Sequence, residues 1–157
     1  MKKEQTVYRD ILLPIDLENH RTWEHALPKA VQYCEAFDAR LHILAVVPDY
    51  GMSLVGQFFP PRYEKKRLQE TNKKLHDFVD KHVPDTIVVQ HIIAQGGISD
   101  AILEIADETN VDLIIMAARQ PELKDYILGP NASRVLRYAK QSVLVVKSLK
   151  KKKLGKA

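Results

Sequence analysis

The chain has 157 residues, 45% of them hydrophobic, enough for one domain with a real core. No apolar run reaches the roughly 18 residues of a membrane span. The start, MKKEQTVYRD, carries two lysines with no apolar stretch behind them, so a secretory signal is not expected. Cys34 is the only cysteine, which rules out an intramolecular disulfide and fits a reducing cytoplasm. The formal charge of +4 is uneven, since Lys150, Lys151, Lys152, Lys153 and Lys156 leave the rest near −1. Residues 149–157 are expected to be a disordered Lys-rich tail on a domain spanning 1–148. The basic tail could touch nucleic acid or an anionic membrane, but no aromatic residue is interleaved with those lysines as single-strand binding would want, and neither partner is the expected one.

Arg9 to Asp16, "RDILLPID", is a short apolar run ending in an acid and predicts a buried strand. Trp23, Ala26, Leu27, Ala30, Val31, Cys34 and Phe37 then recur at helical spacing. Pro28 interrupts this pattern. The helix either bends there or begins near Leu27, and the pattern on both sides favours a bend. Cys34 lies on the apolar face, where it reads as core filler rather than a nucleophile.

"RLHILAVVPD" predicts a second strand stopped by Pro48. "YGMSLVGQFFPP" reads as a loop that covers a site, meets a partner through Phe58 and Phe59, or packs on its own core. Arg62 to His82 predicts a charged helix with a narrow stripe of Leu68, Leu75, Phe78 and Val79. Thr86 to Ala94 is a third strand, and Gly96-Gly97 a turn. Ile98, Ala101, Ile102, Ile105 and Ala106 form the next helix face. "VDLIIMAA" and "SVLVVK" are the fourth and fifth strands, and Ala132, Val135, Leu136 and Ala139 mark the helix between them.

Continuous apolar strands alternating with amphipathic helices imply an α/β fold with a parallel sheet covered on both faces. Right-handed crossovers make it a single-domain, doubly wound, Rossmann- or flavodoxin-like sheet. Such sheets bind ligands beyond the carboxyl ends of their strands, where the strand order reverses. Asp16, Val46 to Pro48 and Ala117 to Arg119 fall at those ends. Asp16 is placed either to accept hydrogen bonds from a ribose or an adenine amino group, or to cap the following turn.

Familiar catalytic signatures are missing. The chain has no G-x-S-x-G elbow, no G-x-x-x-x-G-K-[ST] loop and no G-x-G-x-x-G after the first strand. His20 and His25 are five apart and lie on different faces. His42 and His91 sit on strands and read as structural. No metal site is expected from the histidines. A phosphate-chemistry enzyme would need a nucleophile at a strand end, and none is seen. Any ATP hydrolysis would be very slow, for want of a base placed for water.

Three stretches together resemble the universal stress protein family: "ILLPID" in the first strand, "LAVVP" closing the second, and "LIIMAARQPELKDYILGPNASRVLRYAKQSVLVVK". The resemblance runs from Val7 to Lys147. It implies five strands in the order 3-2-1-4-5, a homodimer through the last strand (Ser142 to Lys147), and in many members bound ATP or AMP, with Mg possible beside ATP. Carried over residue by residue, the nucleotide site would comprise Pro14, Ile15, Asp16, Val46, Met116, Ala117, Arg119, Gly129, Asn131, Ala132 and Ser133. Such a protein would serve as a cytoplasmic stress-response regulator.

ATP-binding members of that family share a loop G-x-x-G-(nine residues)-G-[ST]. Here Ala117 and Gln120 stand at the first two glycines, the loop is one residue shorter, Gly129 matches the third, and Pro130 replaces the Ser or Thr. "AARQP" resembles a short-loop branch that tolerates Ala at the first position. Pro130 removes both a backbone N–H and a hydroxyl from the phosphate side. It nevertheless suits the first position of a helix. Asn131 and Ala132 keep their N–H groups there, and Asn131, Ser133 or Arg119 could reach a phosphate oxygen, Arg119 bidentately unless it is simply an exposed loop cation. The alternative is a dimeric scaffold of the same fold that binds no nucleotide.

Overall fold

The computed structural model describes residues 7–47, 61–118 and 128–148, with the backbone alone for 61–64. Five strands form one parallel sheet: β1 (Asp10–Ile15), β2 (Arg40–Val47), β3 (Val89–Gln95), β4 (Leu113–Ala117) and β5 (Ser142–Val146). Between them lie α1 (Ala26–Phe37), α2 (Pro61–His82), α3 (Ile98–Glu108) and α4 (Pro130–Tyr138). The strand order is β3-β2-β1-β4-β5, so the order reverses between β1 and β4.

Alternation along each strand divides the core in two. Ile11, Leu13 and Ile15 of β1, with Leu41, Ile43 and Ala45 of β2 and Leu113 and Ile115 of β4, face one side. Ala26, Leu27, Ala30 and Cys34 of α1 and Leu75, Phe78 and Val79 of α2 cover them. Leu12, Leu44, Ile114 and Met116 face the other side, under Ile102 and Ala106 of α3 and Ala132 and Val135 of α4. The central strands are buried on both faces, which is why they read as unbroken apolar runs.

Several boundaries differ from the sequence reading. The first helix does not bend at Pro28 but begins at Ala26, after a short 3-10 turn over His20–Thr22. Pro28 therefore sits in the first turn, where its missing N–H would have had no intrahelical acceptor, so nothing forces a kink. The third strand starts at Val89 rather than Thr86, because Ile87 N–H turns back to the Pro84 carbonyl at 3.1 Å. Leu136 is 41% exposed and Ile98 46% exposed, so neither belongs to the core face assigned to it. Ile98 is the first residue of α3, beyond the part of the stripe that the sheet covers, and Leu136 lies to the side of the buried pair Ala132 and Val135 on α4. Gly96, at φ 117°, makes the turn from β3 into α3, and its N–H donates to the Val47 carbonyl at 3.1 Å.

Cys34 is buried as core filler, and burial, with Glu35 adding to it, pushes its thiol pKa up to about 12. His42 is buried too. Its Nδ1 faces Gln90 Oε1 and its Nε2 lies 2.9 Å from Asp10 Oδ1, so the ring ties β1, β2 and β3 together. The expected loop "YGMSLVGQFFPP" falls largely outside the described residues, except that Pro61 already heads α2. The Lys-rich tail lies outside them altogether. No described helix is long and apolar enough to cross a membrane.

Candidate functional site

β1 is held along its whole length by β2, through six residue pairs from Asp10–Arg40 to Ile15–Ala45. Its pairing with β4 covers only two, Ile11–Leu113 and Leu12–Ile114. Pro14 explains the difference. The N–H and C=O of one strand residue point to the same side, and the side alternates along the chain. Asp10 accepts from Asp112 N–H at 2.9 Å and so faces β4. Four residues on, Pro14 faces β4 as well and has no N–H to donate. At the amino end the two strands are pinned, since the Asp112 carboxylate accepts from Arg9 N–H at 2.9 Å and Asp10 N–H at 3.1 Å. The ladder is thus closed at the amino end and lapses toward the carboxyl end. That lapse falls where the strand order reverses, the expected place for a ligand crevice.

Asp16 stands exposed at the rim, directly after buried Pro14 and Ile15. Its Oδ1 accepts from Glu18 N–H at 2.9 Å, and its carbonyl accepts from Asn19 N–H at 3.1 Å. Asp16 N–H donates to Thr22 Oγ1 at 2.9 Å, and the Thr22 hydroxyl donates onward to the Asn19 carbonyl at 2.8 Å. Asp16 therefore caps its own turn. One carboxylate oxygen does that work, and a carboxylate has two. Thr22 and Asn19 are organisers that the sequence reading did not single out. The N-x-x-T spacing after a strand-end acid was the available signal, and its meaning depends on the turn's shape.

Val46 is half-buried next to the end of β2. Arg40 N–H donates to the Arg9 carbonyl, so even-numbered residues of β2 direct their backbone groups toward β1. Val46 does so just past the last pair of the β1–β2 ladder. On β4, Met116 is buried in the α3–α4 side of the core, and Ala117 is half-buried at the strand's end. Arg119 lies outside the described residues.

The fourth group comes from the start of α4. Gly129 is buried and extended (φ −57°, ψ 163°) as the N-cap, and Pro130 occupies the first helical position. Pro130 has no N–H, and the first intrahelical bond runs from Ser133 N–H to the Gly129 carbonyl at 3.0 Å. The N–H groups of Asn131 and Ala132 are thereby left without intrahelical acceptors, at the positive end of the helix dipole. The Ser133 hydroxyl donates to the Leu128 carbonyl at 3.2 Å, which commits its proton to the loop. Ala132 packs in the core group that includes Leu12, Leu44 and Met116, so the first turn of α4 lies over the strands that border the crevice. The structure thus brings Pro14, Ile15, Asp16, Val46, Met116, Ala117, Gly129, Asn131, Ala132 and Ser133 to one end of the sheet. Asp16 and the two N–H groups are polar in opposite senses: an acceptor for a sugar or base, and donors for an anion.

The universal stress protein family model matches residues 7–147. Universal stress protein G from Escherichia coli O157:H7 is 27% identical over 143 residues, covering 90% of this chain and all of that protein. Among solved structures, that of hypothetical protein MJ0577 is similar at a TM-score of 0.68 and 27% identity, covering 91% of this chain and 98% of that one. A universal stress protein in complex with cAMP matches at TM-score 0.58 and 22% identity, over 90% of this chain and 98% of that one. The universal stress protein from Archaeoglobus fulgidus in complex with dAMP matches at 0.60 and 15%, over 90% and 99%. Sequence motifs, strand order and the matched span agree, and the chain belongs to the universal stress protein family.

Proposed function

We propose that this protein binds an adenine nucleotide in the crevice between the carboxyl ends of β1 and β4 and acts as a stress-response regulator of the cytoplasm. The observation that carries the reading is the lapse of the β1–β4 ladder at Pro14, with Asp16 at the rim and the donor end of α4 over the same strands. Asp16 holds the ribose or the adenine amino group. The Val46 backbone reads the adenine edge. Asn131 and Ala132 N–H groups, with Gly129 and Ala117 around them, take the phosphates, and the family resemblance adds Arg119 as a phosphate clamp. Two relatives of this fold in complex with cAMP and dAMP lend support, since both ligands carry an adenine base and a single phosphate. With Pro130 limiting the donors, AMP fits as well as ATP, and Mg accompanies ATP alone. The protein pairs as a homodimer through Ser142 to Lys147. β5 is an edge strand whose residues Val143 to Val146 are only half-buried, a surface suited to a second copy.

Titration of ATP and AMP into nucleotide-free wild-type and Asp16→Ala protein by calorimetry tests the site. Binding in the wild type alone supports the reading. Equal affinity in both proteins removes Asp16 from the site. The donor shortage at Pro130 favours a second reading, a scaffold without nucleotide, and failure of both proteins to bind millimolar ligand would establish it.

A further inference from the structure

Away from the crevice, on the free edge of the sheet, the rings of His76 and His91 stack at 3.8 Å between centroids and 19° between planes. His91 belongs to β3, and His76 to the α2 helix that covers it. His91 Nε2 is buried and has no hydrogen-bond partner among the described residues. We propose that this stacked pair is an acid-sensitive latch, which holds α2 on edge strand β3 while the His91 ring is neutral and releases it when that ring is protonated.

The chemistry follows from the two protonation states. A neutral imidazole can leave one nitrogen as a bare lone pair and stack on its neighbour as an apolar ring. An imidazolium carries N–H on both nitrogens, so the buried Nε2 of His91 would hold a donor with no acceptor, beside a second ring able to carry the same charge. Among the described residues, the groups around the pair are few. β2 offers His91 only apolar neighbours on that face, in Leu41, Ile43 and Ala45. α2 offers His76 itself and Asp80 one turn beyond, with Lys73 one turn before and Asp77 adjacent. Burial, and then His76, hold the His91 pKa below its ordinary value of 6.5, while Asp80 pulls it up. Because the folded value is depressed, the stabilisation is present above 6.5, and it is lost as the pH falls through the lower folded value.

Proton NMR of the full chain reads the His91 titration directly. A midpoint below 6.5 is expected. A midpoint at or above that value would overturn the latch. Urea unfolding of wild type and His91→Phe at pH 7.5 and 5 gives the second arm, with His76→Gln in its place should the Phe variant not fold. The latch predicts a smaller loss of stability on acidification in the variant. It also predicts that amide exchange in α2 and β3, corrected for intrinsic rates, accelerates at pH 5 more than in β4. Parallel acid losses in wild type and variant, or uniform acceleration across the sheet, would refute it.

Discussion

Replacing Pro130 by Ser isolates the role of one donor at the start of α4. The first turn currently presents two N–H groups without intrahelical acceptors, those of Asn131 and Ala132, because Pro130 has none and Ser133 N–H is taken by the Gly129 carbonyl. Ser at 130 restores a third N–H and adds a hydroxyl, with no change required in the extended N-cap. A hydrogen bond to a charged group contributes about 1.5–3 kcal/mol net. One such bond corresponds to roughly tenfold to a hundredfold in affinity. The opposing term is small and falls on stability, because loss of the proline ring frees the unfolded chain by about 0.4–1 kcal/mol. Calorimetry with ATP should therefore show tighter binding in Pro130→Ser, while urea unfolding shows a slightly less stable protein. AMP should gain no more than ATP does. Weaker ATP binding in the variant would refute the donor count, and would make the proline itself a positive element of the site.

Three further outcomes follow from the same geometry. Asp16→Ala should abolish measurable adenine nucleotide binding, and should cost about 1 kcal/mol in unfolding through loss of the Glu18 N–H cap; unchanged affinity would sink the assignment. Pro14→Val should supply an N–H facing β4, extend the β1–β4 ladder and narrow the crevice, so that this new amide is protected from exchange and nucleotide affinity drops; a freely exchanging amide would contradict the account of the lapse. Cys34 should not react with a thiol reagent in the native protein at pH 8, since its thiol pKa is about 12, and should react fully in urea; fast native labelling would place the side chain outside the core.

Much of the fold was legible because local pattern and tertiary burial agree. β1, β2 and β4 have apolar residues on both faces, and α2 and α3 carry apolar stripes at helical spacing. The exact strand order came from the family resemblance, since the pattern of alternating strands and helices is shared by several orders of a doubly wound sheet. Pro28 misled because a proline in the first turn looks, in sequence, like a proline in the middle of a longer stripe. Trp23 continues the helical spacing yet precedes the helix, packing at 4.9 Å edge-on to Phe78 instead.

At the site, the helix start at Gly129-Pro130 was readable from residue type alone. The turn that organises Asp16 was not, because it requires Thr22 to fold back six residues onto a backbone N–H. Nor was the part played by Pro14. In sequence it is one residue in an apolar run. Its effect appears only when Asp10 shows which side of β1 faces β4. The stacked His76–His91 pair was beyond reach for the same reason, since α2 and β3 meet there only in the tertiary structure.

The most direct test of the central claim is to purify the protein without added nucleotide, denature it, and identify any released small molecule by mass spectrometry. The stripped protein is then titrated with ATP and AMP by calorimetry. The account predicts adenine nucleotide in the released material, or micromolar binding of either ligand. An empty protein that ignores both at millimolar concentration would contradict it, and would leave the crevice beside Pro14 without the ligand assigned to it.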